Sequence, residues 1–259
     1  MHGALTAIPL PDRFFDAPIA HRGLHDCGGR FGYGRPENSF ASLRSAIGEG
    51  YGIEVDIQLT ADGVPVVFHD ENLKRMIKVD KNVKDLTLTS LKEFRLSNEE
   101  TIPTFEELLE VVCGRVPILI ELKDQDGALG VNTGGIEDKV AVVLDNYIGA
   151  VAVMSYNHHS VKRFGLKQPS IPRGLVTEAF KESDWPLLSS EKLLNLRQLT
   201  GIEEVAASFI SHEYNDLNSK YISQLSKKVK VLSWTVKKKR DFKLAITKSD
   251  NVTFEGFMP

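Results

Sequence analysis

Eight short apolar runs with strand character recur along the 259 residues, separated by connections long enough to hold helices. They lie at residues 17–23, 52–58, 116–123, 150–156, 173–177, 205–210, 229–236 and 251–257. Between them apolar residues recur at helical spacing over 40–47, 105–113, 136–147, 158–167, 191–199, 219–228 and 239–248. Strands joined through helices run parallel, because the crossover carries the chain back to the same end of the sheet. Eight such units in about 250 residues predict an α/β fold, a closed (β/α)8 TIM barrel. No linker, low-complexity run or shift in composition divides residues 1–259, so a single barrel domain is expected. In that architecture the reactive groups belong at the carboxyl ends of the strands.

The second run carries an extra feature. Gly52 to Asp70 reads as a strand, a tight turn and a return strand. Asp62-Gly63 is a hairpin signal, and a connection of about four residues is far too short for a parallel crossover. The return run is therefore expected to fold back antiparallel, as a short hairpin at the mouth after strand two. Alternate strand residues share a face, so Glu54 and Asp56 project together while Ile53, Val55 and Ile57 project the other way. A register pairing Gln58 with Val67 or Phe68 sets His69 close to Asp56. Two adjacent carboxylates repel, so they share a proton, bind a cation, or lie on a solvated face. An all-oxygen ligand set suits a hard cation such as Ca²⁺ or Mg²⁺.

Composition narrows the classes of function. With 42% hydrophobic and 26% charged residues the chain can build a sizeable core. A net charge of −3 gives no electrostatic case for nucleic acid as a partner. No segment approaches the roughly 20 apolar residues of a membrane span. The first residues hold prolines and aspartates in place of the basic flank and apolar run of a signal peptide, so a cytoplasmic soluble protein is expected. Cys27 and Cys113 form neither a disulfide framework nor a zinc spacing, and both read as free thiols.

Polar residues from separate strand ends converge on one mouth. His21 and Arg22 close the first run, Glu121 and Lys123 the third, and Trp234 sits in the seventh. Glu121 is a candidate third oxygen ligand and Lys123 a counter-charge for a phosphate or an oxyanion; the alternative is an ordinary ion pair between the two. His21 and His69 suit general acid/base work, because imidazole titrates near neutrality, although strand-end histidines also serve as plain hydrogen-bonders. Arg22 fits either a bidentate grip on phosphate or a salt bridge with Glu37. Trp234 is either core or a wall of the substrate pocket. His158 and His159 read as cap or surface residues, and Lys237 to Arg240 as a solvated basic run at the same end. No Ser, Cys or Asp is placed as an obvious protein nucleophile.

In order along the chain stand His21-Arg22-Gly23, Pro36-Glu37-Asn38-Ser39, Glu54-Val55-Asp56-Ile57-Gln58 with Asp62-Gly63, and Val66-Val67-Phe68-His69-Asp70. Ile102-Pro103-Thr104, Ile120-Glu121-Leu122-Lys123 and Ser233-Trp234-Thr235-Val236 follow. The ordered set resembles the glycerophosphodiester phosphodiesterase family in its compact bacterial form, densely in the amino-terminal half and thinly in the carboxyl-terminal half. The resemblance implies a TIM-barrel hydrolase that releases sn-glycerol 3-phosphate and an alcohol from a small-molecule glycerophosphodiester. By that likeness Glu54, Asp56 and Glu121 hold one divalent cation, Ca²⁺ or Mg²⁺ with Mn²⁺ also compatible. His21 and His69 match the acid/base pair, and Arg22 and Lys123 match phosphate contacts. It also implies attack by the substrate's own 2-hydroxyl, giving a cyclic phosphate that water opens.

Two features depart from the family pattern. The loop of residues 24–35, with Cys27, Arg30, Tyr33 and Arg35, is long and is expected to lid the pocket. Residues 251–256 read Asn-Val-Thr-Phe-Glu-Gly where the family ends on an Ile-Thr-Asp type of motif, which puts the closing strand in question. An alternative reading keeps the chemistry on a lysophospholipid or sphingolipid, in the manner of phospholipase D-like barrels, but the glycine-rich polar loop offers acyl chains little surface. Another is a barrel that binds phosphodiesters without turnover, against which all seven matched charged positions are intact.

Overall fold

The computed structural model describes residues 5–26 and 34–259. Eight parallel strands close into a barrel: β1 (Ile19–Ala20), β2 (Gly52–Leu59), β4 (Ile118–Leu122), β5 (Val151–Ser155), β6 (Arg173–Thr177), β7 (Phe209–Glu213), β8 (Lys230–Val236) and β9 (Asn251–Phe254). Closure falls to β1, which pairs in parallel with both β2 and β9. The closing strand is therefore present despite its unusual sequence. The return strand β3 (Pro65–Val67) pairs antiparallel with β2 outside the barrel, as the Asp62-Gly63 turn predicts. Its register is one residue from the expected one: Gln58 faces Val66, and Phe68 N–H reaches Asp56 C=O at 3.0 Å.

Helices α1 (Phe40–Gly48), α4 (Phe105–Val112), α5 (Ile136–Leu144), α6 (His158–Lys167), α7 (Ser190–Arg197), α8 (Lys220–Leu225) and α9 (Lys239–Ala245) fill the crossovers. Two starts are set by capping boxes that satisfy orphan amides reciprocally, Ser39 with Ser42 and Thr104 with Glu107. Residues 71–100, a mixed stretch in sequence, hold the short helices α2 (Lys74–Ile77) and α3 (Leu88–Leu91) around Leu73, Val83, Leu91 and Ile102. That small cluster props the hairpin at the mouth. No helix among the described residues is long and apolar enough to cross a membrane.

Both faces of β2 are buried, and its alternation divides the work between them. Val55 and Ile57 join Ile118 and Ile120 in the layer between sheet and helices. Inside the barrel Leu119, Met154, Val176, Phe209 and Leu232 pack on Phe14, a fully buried residue of the amino-terminal segment. Asn251 ties that segment down by donating to Phe14 C=O and to Ala17 C=O, and the buried Arg173 donates to Thr6 C=O at 2.7 Å. With one end filled in this way, the opposite end is left for chemistry.

The sixth barrel strand is not where its apolar run suggests. Val205 and Ala207 pack between the helices of that face, and the strand is Phe209–Glu213, shifted toward the carboxyl terminus from the expected 205–210. Ser211 and Glu213 break the apolar pattern because they line the cavity at the barrel's functional end, and His212 between them is buried against Thr177 at 2.8 Å. The first strand is likewise shorter than expected, since His21 already belongs to a turn.

Candidate active site at the barrel mouth

Strand β2 projects Glu54 and Asp56 inward, and β4 lies beside it with Asp56 level with Glu121. One oxygen from each of the three carboxylates lies within 4.8 Å of the others, and all three residues are buried. Burial and repulsion from Asp56 and Glu121 push Glu54 well above the usual carboxylate range. Burial alone would raise Asp56 too, but Lys123, His69, Arg22 and His21 hold it well below that range. Asp56 Oδ2 accepts from Asn38 Nδ2 at 3.0 Å, with Arg22 Nε at 3.3 Å. Among the described residues Asp56 Oδ1 is buried without a hydrogen-bond donor, although Lys123 Nζ lies 3.4 Å away as its ion-pair partner. A buried carboxylate oxygen left in this state, inside an all-oxygen donor set, fits a hard divalent cation.

The turn after β1 brings the next groups in. Arg22 and Asn38 both adopt left-handed backbone, at φ 55 and 56. This turns Arg22 N–H onto Glu54 Oε2 at 3.0 Å. Ser39 caps the helix, and Asn38 just before it is a donor to the acidic cluster. Gly23 is required beside them: at φ +78 it packs so closely on α1 that a Cβ would lie 2.6 Å from Ser42 Oγ and 2.9 Å from Ser42 carbonyl carbon. The Arg22 guanidinium meets Glu37 at 2.9 Å, so the salt bridge anticipated as one of its two roles is formed. Lys123 similarly pairs with Glu121 at 2.8 Å; burial would lower its pKa, but Glu121 and Asp56 together raise it.

Each of the two predicted histidines is held through Nδ1 by a carboxylate. His21 Nδ1 meets Glu255 Oε2 at 2.6 Å, and His69 Nδ1 meets Asp70 Oδ1 at 2.7 Å. A neutral imidazole that gives its Nδ1 proton to a carboxylate keeps Nε2 as the proton acceptor. His21 Nε2 lies 3.8 Å from Glu54 Oε2, facing the acidic cluster. Burial lowers the His21 pKa and Glu255 offsets part of that. Asp70 is in turn gripped by Arg75, which also binds Glu37. One chain of ion pairs thus links His69, Asp70, Arg75, Glu37 and Arg22.

A cavity of about 630 Å³ opens at this end, and His21, Arg22, Glu54, His69, Glu121, Lys123 and Trp234 line it. Asp56 completes the set from behind them. Trp234 is a pocket wall, with its Nε1 donating to Ser211 C=O at 2.8 Å. Glu255, Asn38, Glu213 and Tyr156 are residues that sequence reasoning missed. Glu255 sits just past β9, and as the acid that follows the last strand run it was the available signal. His25 is buried against Glu255 at 4.0 Å, and burial pushes its pKa down to about 4. Asn157 caps α6, so His158 and His159 stay outside the site. Lys237 reaches the cavity rim and pairs with Glu255 at 3.2 Å. Cys113 is a free thiol; Cys27, Arg30 and Tyr33, and with them the middle of the loop expected to lid the pocket, lie outside the described residues.

Comparison with known proteins bears on the family and the fold. The model of the glycerophosphoryl diester phosphodiesterase family matches residues 21–250. YhdW of Bacillus subtilis is 30% identical over 229 residues, covering 84% of this chain and 85% of its own. The glycerophosphodiester phosphodiesterase of Caldanaerobacter subterraneus is 28% identical over 222 residues, covering 82% and 84%. Among solved structures, an Oleispira antarctica phosphodiesterase in complex with sn-glycerol-3-phosphate superposes with a TM-score of 0.73 at 26% identity, over 94% of both chains. The chain, a (β/α)8 barrel with this mouth, belongs to the glycerophosphoryl diester phosphodiesterase family.

Proposed function

We propose that the protein hydrolyses glycerophosphodiesters to sn-glycerol 3-phosphate and an alcohol, with one divalent cation, Ca²⁺ or Mg²⁺, held by Glu54, Asp56 and Glu121. The observation that carries this reading is the buried three-carboxylate cluster set beside two carboxylate-braced histidines at one cavity. The product complex of the Oleispira antarctica relative supports the substrate class. When bound, the cation supplies charge neutralisation for the phosphate and lowers the pKa of a nearby hydroxyl.

The side chains then divide the remaining work. Arg22 and Lys123 point cationic groups at the place a phosphate must occupy, and Trp234 walls the cavity. One histidine takes the proton of the substrate's 2-hydroxyl as its oxygen attacks phosphorus. The other delivers a proton to the departing alcohol oxygen as the P–O bond breaks, leaving a cyclic phosphate. Water opens that ring with the two roles exchanged, since the second step roughly reverses the first. Glu255 and Asp70 hold the imidazoles so that Nε2 does the exchange in both cases.

The test is release of glycerol 3-phosphate from glycerophosphocholine and glycerophosphoethanolamine by purified protein, with EDTA and then with Ca²⁺, Mg²⁺ or Mn²⁺ restored. Chelator-sensitive release rescued by an ion is expected. His21→Ala and His69→Ala should each abolish turnover while metal binding persists. Turnover that survives either substitution would refute the role given to that histidine.

A further inference from the structure

A second cavity of about 450 Å³ adjoins the first, and the reaction described above makes no use of it. The two share His69, Glu121, Lys123 and Tyr156, so a phosphate held at those residues has both within reach. A phosphodiester has two arms, and the two cavities differ in chemistry. Ser211 and Thr253 line the first, and their buried hydroxyl oxygens have no hydrogen-bond partner among the described residues. Such groups suit the hydroxyls of a glycerol arm. His21 lines only this first cavity.

The second cavity runs to Leu129, Tyr156 and Trp185. Its two rings lie 5.3 Å apart between centroids, and Phe180 packs on Trp185 at 5.7 Å and on Tyr156 at 6.1 Å. Glu178 braces both from behind, accepting from Trp185 Nε1 at 2.5 Å and from Tyr156 Oη at 3.3 Å. The aromatic surface is thus built and held rather than swept in by a loop. Three acids line the same cavity: Asp70, paired with Arg75, Asp124, which accepts from Asn157 Nδ2, and the exposed Glu71; Lys123, its one lysine among the described residues, is engaged by Glu121 and Asp56.

We infer that the second cavity receives the alcohol arm and favours an alcohol bearing an ammonium or quaternary ammonium group; this rests on the phosphodiesterase reading above. Aromatic faces attract such a cation through their quadrupole, and Glu71 at the rim adds long-range attraction. A neutral polyol gains neither term, and an anionic alcohol meets the wrong sign of charge.

The test compares kcat/KM of the metal-loaded enzyme for glycerophosphocholine, glycerophosphoethanolamine and glycerophosphoglycerol. A preference of about 5- to 30-fold for the two cationic substrates is expected from the strength of a cation over an aromatic pair. Trp185→Leu and, as a surface change that leaves the core intact, Glu71→Lys should both reduce that ratio, while Trp185→Phe keeps most of it. Tetramethylammonium should inhibit glycerophosphoglycerol hydrolysis competitively, and more weakly in Trp185→Leu. Equal kcat/KM across the three substrates, or a ratio unmoved in both folded variants, overturns the inference. Absence of turnover on all three would instead sink the phosphodiesterase reading.

Discussion

Replacing Glu255 by Gln tests how the His21 imidazole is prepared. The carboxylate lies 2.6 Å from Nδ1 and is only 11% exposed, so the contact is a charge-assisted hydrogen bond largely shielded from water. Such bonds contribute about 1.5–3 kcal/mol, which translates to about 10- to 150-fold in rate if the interaction is needed in the transition state. Gln keeps the size and a carbonyl acceptor but loses the charge, so Glu255→Gln belongs at the lower end, near tenfold in kcat/KM, and Glu255→Ala further down. Glu255 raises the His21 pKa against the downward pull of burial, so its loss should move the pH limb that requires His21 protonated toward acid. Initial-rate assays of glycerol 3-phosphate release across pH, at saturating metal, read both effects, with thermal unfolding as the control for folding. The reasoning fails if Glu255→Gln stays within about threefold of the parent with an unmoved pH profile while His21→Ala is dead.

Three further outcomes follow from the same geometry. Glu54→Gln removes the acid most disfavoured by its neighbours, so in EDTA it should raise the unfolding free energy by about 1–2 kcal/mol while weakening calorimetric metal binding; a lower melting temperature in EDTA would contradict the repulsion argument. Buried His25 has its folded pKa lowered from 6.5 to about 4, so the unfolded state binds that proton more readily; the stability it contributes is complete above pH 6.5 and drains away as pH falls toward 4, by on the order of 3 kcal/mol. Chemical denaturation of the parent and of His25→Gln across that range should show the acid-side loss shrinking in the variant, and identical slopes would count against it. Gly23→Ala combines left-handed backbone with a Cβ 2.6 Å from Ser42 Oγ, and should cost about 2–4 kcal/mol by denaturant titration; a loss under 1 kcal/mol would mean the turn relaxes freely.

Much of the site was legible in local pattern because the relevant physics is local. Alternation along β2 places Glu54 and Asp56 on one face whatever the rest of the chain does, and Asp62-Gly63 turns the chain back within four residues. Glu121 and Lys123 follow from the same period of two on β4. The register of the hairpin was read one residue off because the turn and the side-chain pattern tolerate neighbouring pairings, and the bridge from Val66 to Thr104 helps select among them. The sixth strand was misplaced because Val205 and Ala207 are apolar for the sake of the helix layer, while the true strand carries Ser211 and Glu213 for the mouth and a buried polar His212 between them.

The sequence by itself determined the barrel, the two carboxylates of β2, the histidines and the family, since periodicity and ordered motifs are properties of neighbours in the chain. Only the tertiary structure decided who holds whom. Glu255 meets His21 across 234 positions, and Glu37 meets Arg75 across 38. Asn38, 18 positions from Asp56, becomes its donor by adopting a left-handed backbone. Tyr156, just past β5, is joined through Glu178 to Trp185 in the connection after β6. Barrel closure sets the first of these pairings, because bringing β9 alongside β1 is what carries the last acid of the chain to the first histidine of the mouth.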